Sequence, residues 1–223
     1  MASPFPYIDE LHDVENINGF NDILKILGMV YTTVPWTVVP FTDQVHQKDL
    51  ESLYARFKKL EIGGWCGLNA EYFKWIIEGY KAKTPPLKHE SYNFGFSFSL
   101  LIAATGPGYM GFTHVGIIVT IDGMEFFFDP YFGRYFAGVD GFPLQFKDLL
   151  YLIRERKFDR YKPVYVPLKK PVVREDGSVS YLYPLELMNE VFGIFEQQGL
   201  NKILHDVFGT GNRDSLMLLK IPN

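Results

Sequence analysis

The stretch "FTHVGIIVTIDGMEFFFDPYFG", residues 112–133, decides how the middle of this chain is read. Two apolar runs flank Asp122-Gly123, a dipeptide suited to the positive φ angles of a two-residue hairpin turn. If the turn holds only those two residues, Ile121 pairs with Met124. The same ladder then sets Gly116 against Asp129 and His114 against Tyr131. Paired residues point to one face, as do residues two apart along a strand. His114 and Asp129 therefore share a face as diagonal neighbours, with Cβ atoms about 5.5–8 Å apart and Gly116 leaving room between them. A turn of odd length would turn one of the two away.

The segments around this hairpin give the fold class. Phe20, Ile23, Leu24 and Leu27 recur at helical spacing in residues 16–30, with Asn18 or Asn21 as a cap. Leu50, Leu53, Phe57 and Leu60 make a second amphipathic stripe. A third helix starts near Cys66, with Phe73, Trp75, Ile76, Ile77 and Tyr80 as core candidates. Before it, two prolines make residues 31–45 an extended connector, and the prolines and acids of residues 1–15 read as a mobile arm. After the third helix the period changes to two: Phe94, Phe96, Phe98, Leu100 and Ile102 alternate with small or polar residues. The hairpin comes next, then a short helix in 142–156 and strands in 164–168 and 171–183, the latter folded at Asp176-Gly177. A broken helix in 183–209 and a last strand in 216–222 complete the chain. Helices followed by an antiparallel sheet and then mixed elements make an α+β protein. Residues 1–165 form the expected core, and residues 166–223 a hairpin, helix and strand packed on it as one domain.

Composition excludes several functions. The 223 residues are 47% hydrophobic and 17% aromatic, enough for a large core. Net charge is −4 with both signs interspersed, so no basic face for nucleic acid is expected. No apolar run is long enough for a membrane span. No secretory leader is legible at the N-terminus, so a cytoplasmic, reducing setting is expected. One cysteine rules out an internal disulfide and a thiolate-rich zinc site. His12, His46 and His205 show no metal-ligand spacing, and no metal is expected.

That cysteine, Cys66, sits in "GGWCGLNAEYFKWII", residues 63–77. Taken alone, a single cysteine most often fills a small apolar space. A helix N-terminus, however, favours the thiolate through its free N–H groups and dipole. A histidine steadied by a carboxylate can take the thiol proton. The same N–H groups can hold the oxyanion of a tetrahedral intermediate. Those parts suffice for acyl transfer through a thioester.

"GGWCGLNAEYFKWIIEGYKA", residues 63–82, resembles the cysteine motif of the transglutaminase-like superfamily: a Gly-x-Cys-Gly run opening a helix, an aromatic or apolar pair a turn later, and a glycine before the next segment. Residues 113–133 are similar to its second and third motifs, a His-Val strand, a short turn and an aromatic strand ending in Asp-Pro. Residues 129–150 resemble the stretch after the aspartate in bacterial proteins of that group. The resemblance covers roughly residues 45–150. It implies a papain-like fold, with the nucleophile at a helix start packed on an antiparallel sheet or barrel. It also implies Cys66, His114 and Asp129 as the catalytic residues. Arylamine N-acetyltransferases look similar too, through Gly63, Gly64, Asn69 and the 15-residue step from His114 to Asp129. Their motif has an arginine where this chain has Ile62, and they carry a longer C-terminal part.

The expected activity is acyl transfer or hydrolysis on an amide, ester or thioester of a small molecule or peptide. No cofactor is required, except acyl-CoA under the acetyltransferase alternative. A non-catalytic binding module on the same fold is the other alternative. Trp65, Asn69, Tyr131 and Phe132 are the candidate substrate-side residues. Each has a structural alternative: packing for Trp65, capping or loop bracing for Asn69, and aromatic core for Tyr131 and Phe132.

Overall fold

The computed structural model describes residues 3–37, 49–83, 96–103, 112–155 and 157–197. Helix α1 (Phe20–Thr33) buries Ile23, Ile26, Leu27 and Val30, one stripe at helical spacing. It ends where Pro35 forces Val34 into extended backbone. Gly19 is its N-cap, and Asp22 reaches back to accept the Asn18 N–H at 2.8 Å. Strand β1 (Trp36–Thr37) follows. Helix α2 (Leu50–Lys58) buries Leu53, Tyr54 and Phe57. Helix α3 (Cys66–Lys83) buries Ala70, Phe73, Ile76, Ile77 and Tyr80.

Strands β2 (Phe96–Ala103), β3 (Phe112–Ile121), β4 (Met124–Asp129), β5 (Arg134–Gly138) and β6 (Tyr161–Tyr165) form an antiparallel meander in chain order. Helix α4 (Phe146–Arg154) connects β5 to β6. Strands β7 (Lys170–Val173) and β8 (Val179–Leu182) form a hairpin that pairs with β1, parallel to it through β7. Helix α5 (Pro184–Gln197) sends Leu187, Met188 and Val191 into the main core. The protein is mixed α and β. Its five-stranded sheet is open among the described residues, with β2 and β6 as edges, so a closed barrel is not formed.

The two faces of that sheet are covered unequally. Ile117, Val119 and Ile121 of β3, with Phe126 and Phe128 of β4, join the main core with α1, α3 and α5. Ile118, Phe127 and Phe136 face a smaller cluster under Phe146 and Leu149 of α4. The N-terminal arm corrects the expectation from composition. Phe5, Ile8, Leu11 and Val14 are buried, and the Phe5 ring fills the space where a side chain at Gly79 would begin. Their step of three residues suits the short 3-10 turn at Asp9–Leu11, a period the prolines and acids obscure. Strand β5 is a further element that the sequence pattern does not announce. The glycines at 108 and 111, His46, His89, His205 and the strand expected at 216–222 lie outside the described residues.

Candidate functional site

Cys66 is the first residue of α3 and is half-buried against the main core. The glycine pair before it has a packing reason. Gly64 donates its N–H to the Pro35 carbonyl at 3.0 Å, and a Cβ on Gly63 would stand 2.6 Å from that same oxygen. Only a chain without side chains there can lie so close to the end of α1. The Trp65 carbonyl accepts the Asn69 N–H at 3.3 Å, the first bond of the helix. The N–H groups of Cys66, Gly67 and Leu68 therefore have no acceptor within the helix, and this end carries its positive dipole. The Trp65 ring is 52% exposed and donates Nε1–H to the Thr37 carbonyl at 3.2 Å.

Asn69 is fully buried and braces this start. Its amide nitrogen donates to the carbonyls of Gly64 (3.3 Å) and Trp65 (2.9 Å), and its oxygen accepts from Lys170 Nζ at 2.9 Å. Lys170 is also sealed and donates to the carbonyls of Tyr31 (3.1 Å) and Val34 (2.7 Å). Burial pushes Lys170 well below the usual lysine range, with the Asp129 charge opposing. Nothing in the sequence pattern singles out Lys170, because one lysine among many looks like a surface charge.

The hairpin has the expected register. Ile121 pairs with Met124, and Asp122 and Gly123 both have positive φ, at 51° and 74°. The ladder runs to Ile117 opposite Phe128. Continued in the same register, it would set Gly116 opposite Asp129. The His114 side chain lies outside what the structure describes. The room expected beside Gly116 is occupied: a Cβ there would stand 2.2 Å from Phe127 Cζ, so the glycine makes way for that ring.

Asp129 is fully buried. Its Oδ2 accepts from Arg134 Nε at 3.0 Å, and its Oδ1 from the Phe132 N–H at 3.3 Å. Arg134 is its direct cross-strand partner on β5. The guanidinium lies over the rings of Phe132 (5.3 Å) and Phe136 (5.5 Å) and reaches Met188 Sδ at 3.9 Å. Arg134 shares a strand face with Phe136, yet its contacts with Phe132 and Met188 reach the main core, on which α3 packs through Phe73 and Phe128. Tyr131, in the turn of residues 130–133, is near enough to both Cys66 and Asp129 for each to act on it.

Tyr131 sits in that turn and is buried, with its hydroxyl accepting from Trp36 Nε1. Its pKa is raised, first by burial and then by the negative charges of Cys66 and Asp129, both near enough to act on it. Phe132, also buried, meets Tyr131 edge to face at 4.7 Å. Of the candidate residues, the structure thus brings Cys66, Asn69, Asp129, Tyr131 and Phe132 into one neighbourhood. It adds Arg134 and Lys170 to them. Arg134 becomes legible only once β5 is recognised and paired with β4.

A separate open groove of about 600 Å³ lies between the end of β5 and Lys157–Arg160, with Asp140, Lys157, Asp159 and Arg160 on its walls. It includes none of these residues. Among the described residues, no group of three or more His, Cys, Asp or Glu side chains is arranged to hold a metal, and no helix is long and apolar enough to cross a membrane. No protein-family model, curated protein or solved structure matches this chain.

Proposed function

We propose that this protein is a transglutaminase-like cysteine enzyme that moves an acyl group through a thioester. His114 takes the Cys66 thiol proton as the sulfur bonds to the carbonyl carbon of an amide, ester or thioester. The N–H groups in the first turn of α3 hold the resulting oxyanion. The bond to the leaving group then breaks, and His114 returns the proton to it. Water or an amine attacks the thioester, again giving its proton to His114, and the sulfur leaves. Asp129, held by Arg134, orients His114.

One observation carries this reading. Among the described residues the buried polar or charged side chains include Asn69 and Lys170, which brace the cysteine end of α3, and Arg134, which holds Asp129. Burying a charge costs roughly several kcal/mol unless it is paired, and such groups cluster where chemistry is done. The test is iodoacetamide labelling of Cys66 at pH 6, with a phenyl ester and acetyl-CoA as separate acyl donors followed by intact mass. The proposal expects labelling at least about tenfold faster than a free cysteine peptide, since a thiolate reacts and a thiol does not. It also expects an acyl adduct from the ester that is lost in Cys66→Ala. An adduct from acetyl-CoA would select acyl-CoA as the donor. Labelling at the peptide rate, with no adduct, would leave a binding module.

A further inference from the structure

Building on that reading, we propose that Lys170 is a positioning residue for Cys66, acting through Asn69 and tying the end of α1 to the start of the cysteine helix. An ammonium has three protons, and Lys170 has three acceptors: the carbonyls of Tyr31 and Val34 and the Asn69 side-chain oxygen. The two carbonyls lie at the C-terminal end of α1, where the helix dipole is negative and a buried cation is favoured. With all three donors engaged, Lys170 has none left for a substrate.

Its effect on Asn69 is directional. Nζ meets three acceptors and donates to all of them, so it holds the amide with oxygen toward Nζ and nitrogen away. The nitrogen is thereby aimed at the carbonyls of Gly64 and Trp65, the two residues that immediately precede Cys66. Without the lysine, the amide oxygen is left buried without its donor, and the brace on the backbone before the cysteine weakens. Gly63 and Gly64 have no side chains of their own to hold that backbone.

The lysine comes from β7, about a hundred residues further along the chain. That strand is also paired with β1 through Trp36–Val172, and Trp36 holds Tyr131 beside Cys66. The C-terminal hairpin thus supports the cysteine end by two routes, a strand pairing and a buried ammonium.

The experiment is the pH profile of iodoacetamide labelling for the full-length protein, Lys170→Met and Asn69→Ala, with circular dichroism and urea unfolding to establish that each is folded. Methionine keeps the buried stem and removes the charge. The expected result is a rise of about one pH unit in the labelling midpoint in each variant, which is about a tenfold loss of rate at pH 6. The double variant should lose no more than either single one, because the two side chains act as one unit. If folded variants keep the midpoint of a fast-labelling unmodified protein, Lys170 is structural only and this inference fails while the cysteine mechanism stands. If the unmodified protein itself labels at the rate of a free cysteine peptide, the mechanism fails and takes this role with it. Should Lys170→Met not fold, Asn69→Ala tests the same brace from its other end.

Discussion

Two arginine–aspartate pairs in this protein share one chemistry and differ in setting. In each, an arginine Nε faces an aspartate Oδ2: Arg134 and Asp129 at 3.0 Å, Arg160 and Asp159 at 3.5 Å. The first pair is 1% and 0% exposed, and the second 65% and 81%. The exposed pair gains little, because water screens it and two mobile side chains must be held. The buried pair has lost its water and has replaced it with a backbone N–H, two aromatic faces and a sulfur. Size of opening points the other way, since the groove of about 600 Å³ lies by the exposed pair. The proposed site rests on charge that has been taken out of water at a cost, and the open groove carries charges that remain solvated.

Removing one member of each pair should separate the two settings most strongly. Arg134→Leu leaves the Asp129 carboxylate buried without its partner and is expected to destabilise the fold by about 3–5 kcal/mol. Arg160→Ala is expected to change stability by less than about 0.5 kcal/mol. Urea midpoints at constant slope measure both. Equal effects would mean that burial does not separate the pairs.

A second contrast lies along one short segment. Gly63→Ala drives a methyl group to 2.6 Å from the Pro35 carbonyl, whereas a Cβ on Gly67 meets nothing within 4 Å. The first is expected to destabilise by about 1–3 kcal/mol through overpacking. The second is expected to be neutral or to stabilise by up to about 1 kcal/mol, as alanine does in a helix. Thermal unfolding of the two variants decides it.

Buried and exposed tyrosines differ more mildly. Burial pushes Tyr7 and Tyr80 up to about 12, and Tyr31, Tyr72 and Tyr131 are raised as well, again chiefly by burial. For these acids the folded protein holds the proton more tightly than the unfolded chain. The contribution of Tyr7 and Tyr80 to stability is therefore complete below the unfolded value of about 10 and is lost as pH rises through about 12. Absorbance at the tyrosinate band should show Tyr31, Tyr72, Tyr80 and Tyr131 ionising only with unfolding. A single titration near pH 10 for all would contradict the burial.

Much of the sheet is legible in the sequence because its signals are local. Asp122-Gly123 needs positive φ at both residues, apolar runs flank it, and β2 repeats every two residues. The start of α3 is legible too, from two glycines and a helical stripe. The N-terminal arm is not, since Phe5, Ile8, Leu11 and Val14 are separated by acids and follow a 3-10 rather than an α or β period. The space beside Gly116 reads as open from the pairing alone and instead holds a ring, because strand pairing does not say which way Phe127 leans. Arg134 and Lys170 are invisible for a deeper reason. Burial of a charge is decided by partners contributed from far along the chain, such as Tyr31, Val34 and Asn69 for Lys170. Nothing in the identity of a lysine announces them.

The proposed chemistry requires the Cys66 sulfur and the His114 imidazole to titrate as one pair beside Asp129. The pKa of His114, followed by NMR in the unmodified protein and after Cys66→Ala, reads that coupling without any substrate. A thiolate within about 4–6 Å should hold the imidazolium, so removing the sulfur is expected to lower the His114 pKa by more than about one unit. An unmoved His114 titration would mean that the two groups do not meet, and the mechanism built on them would fall.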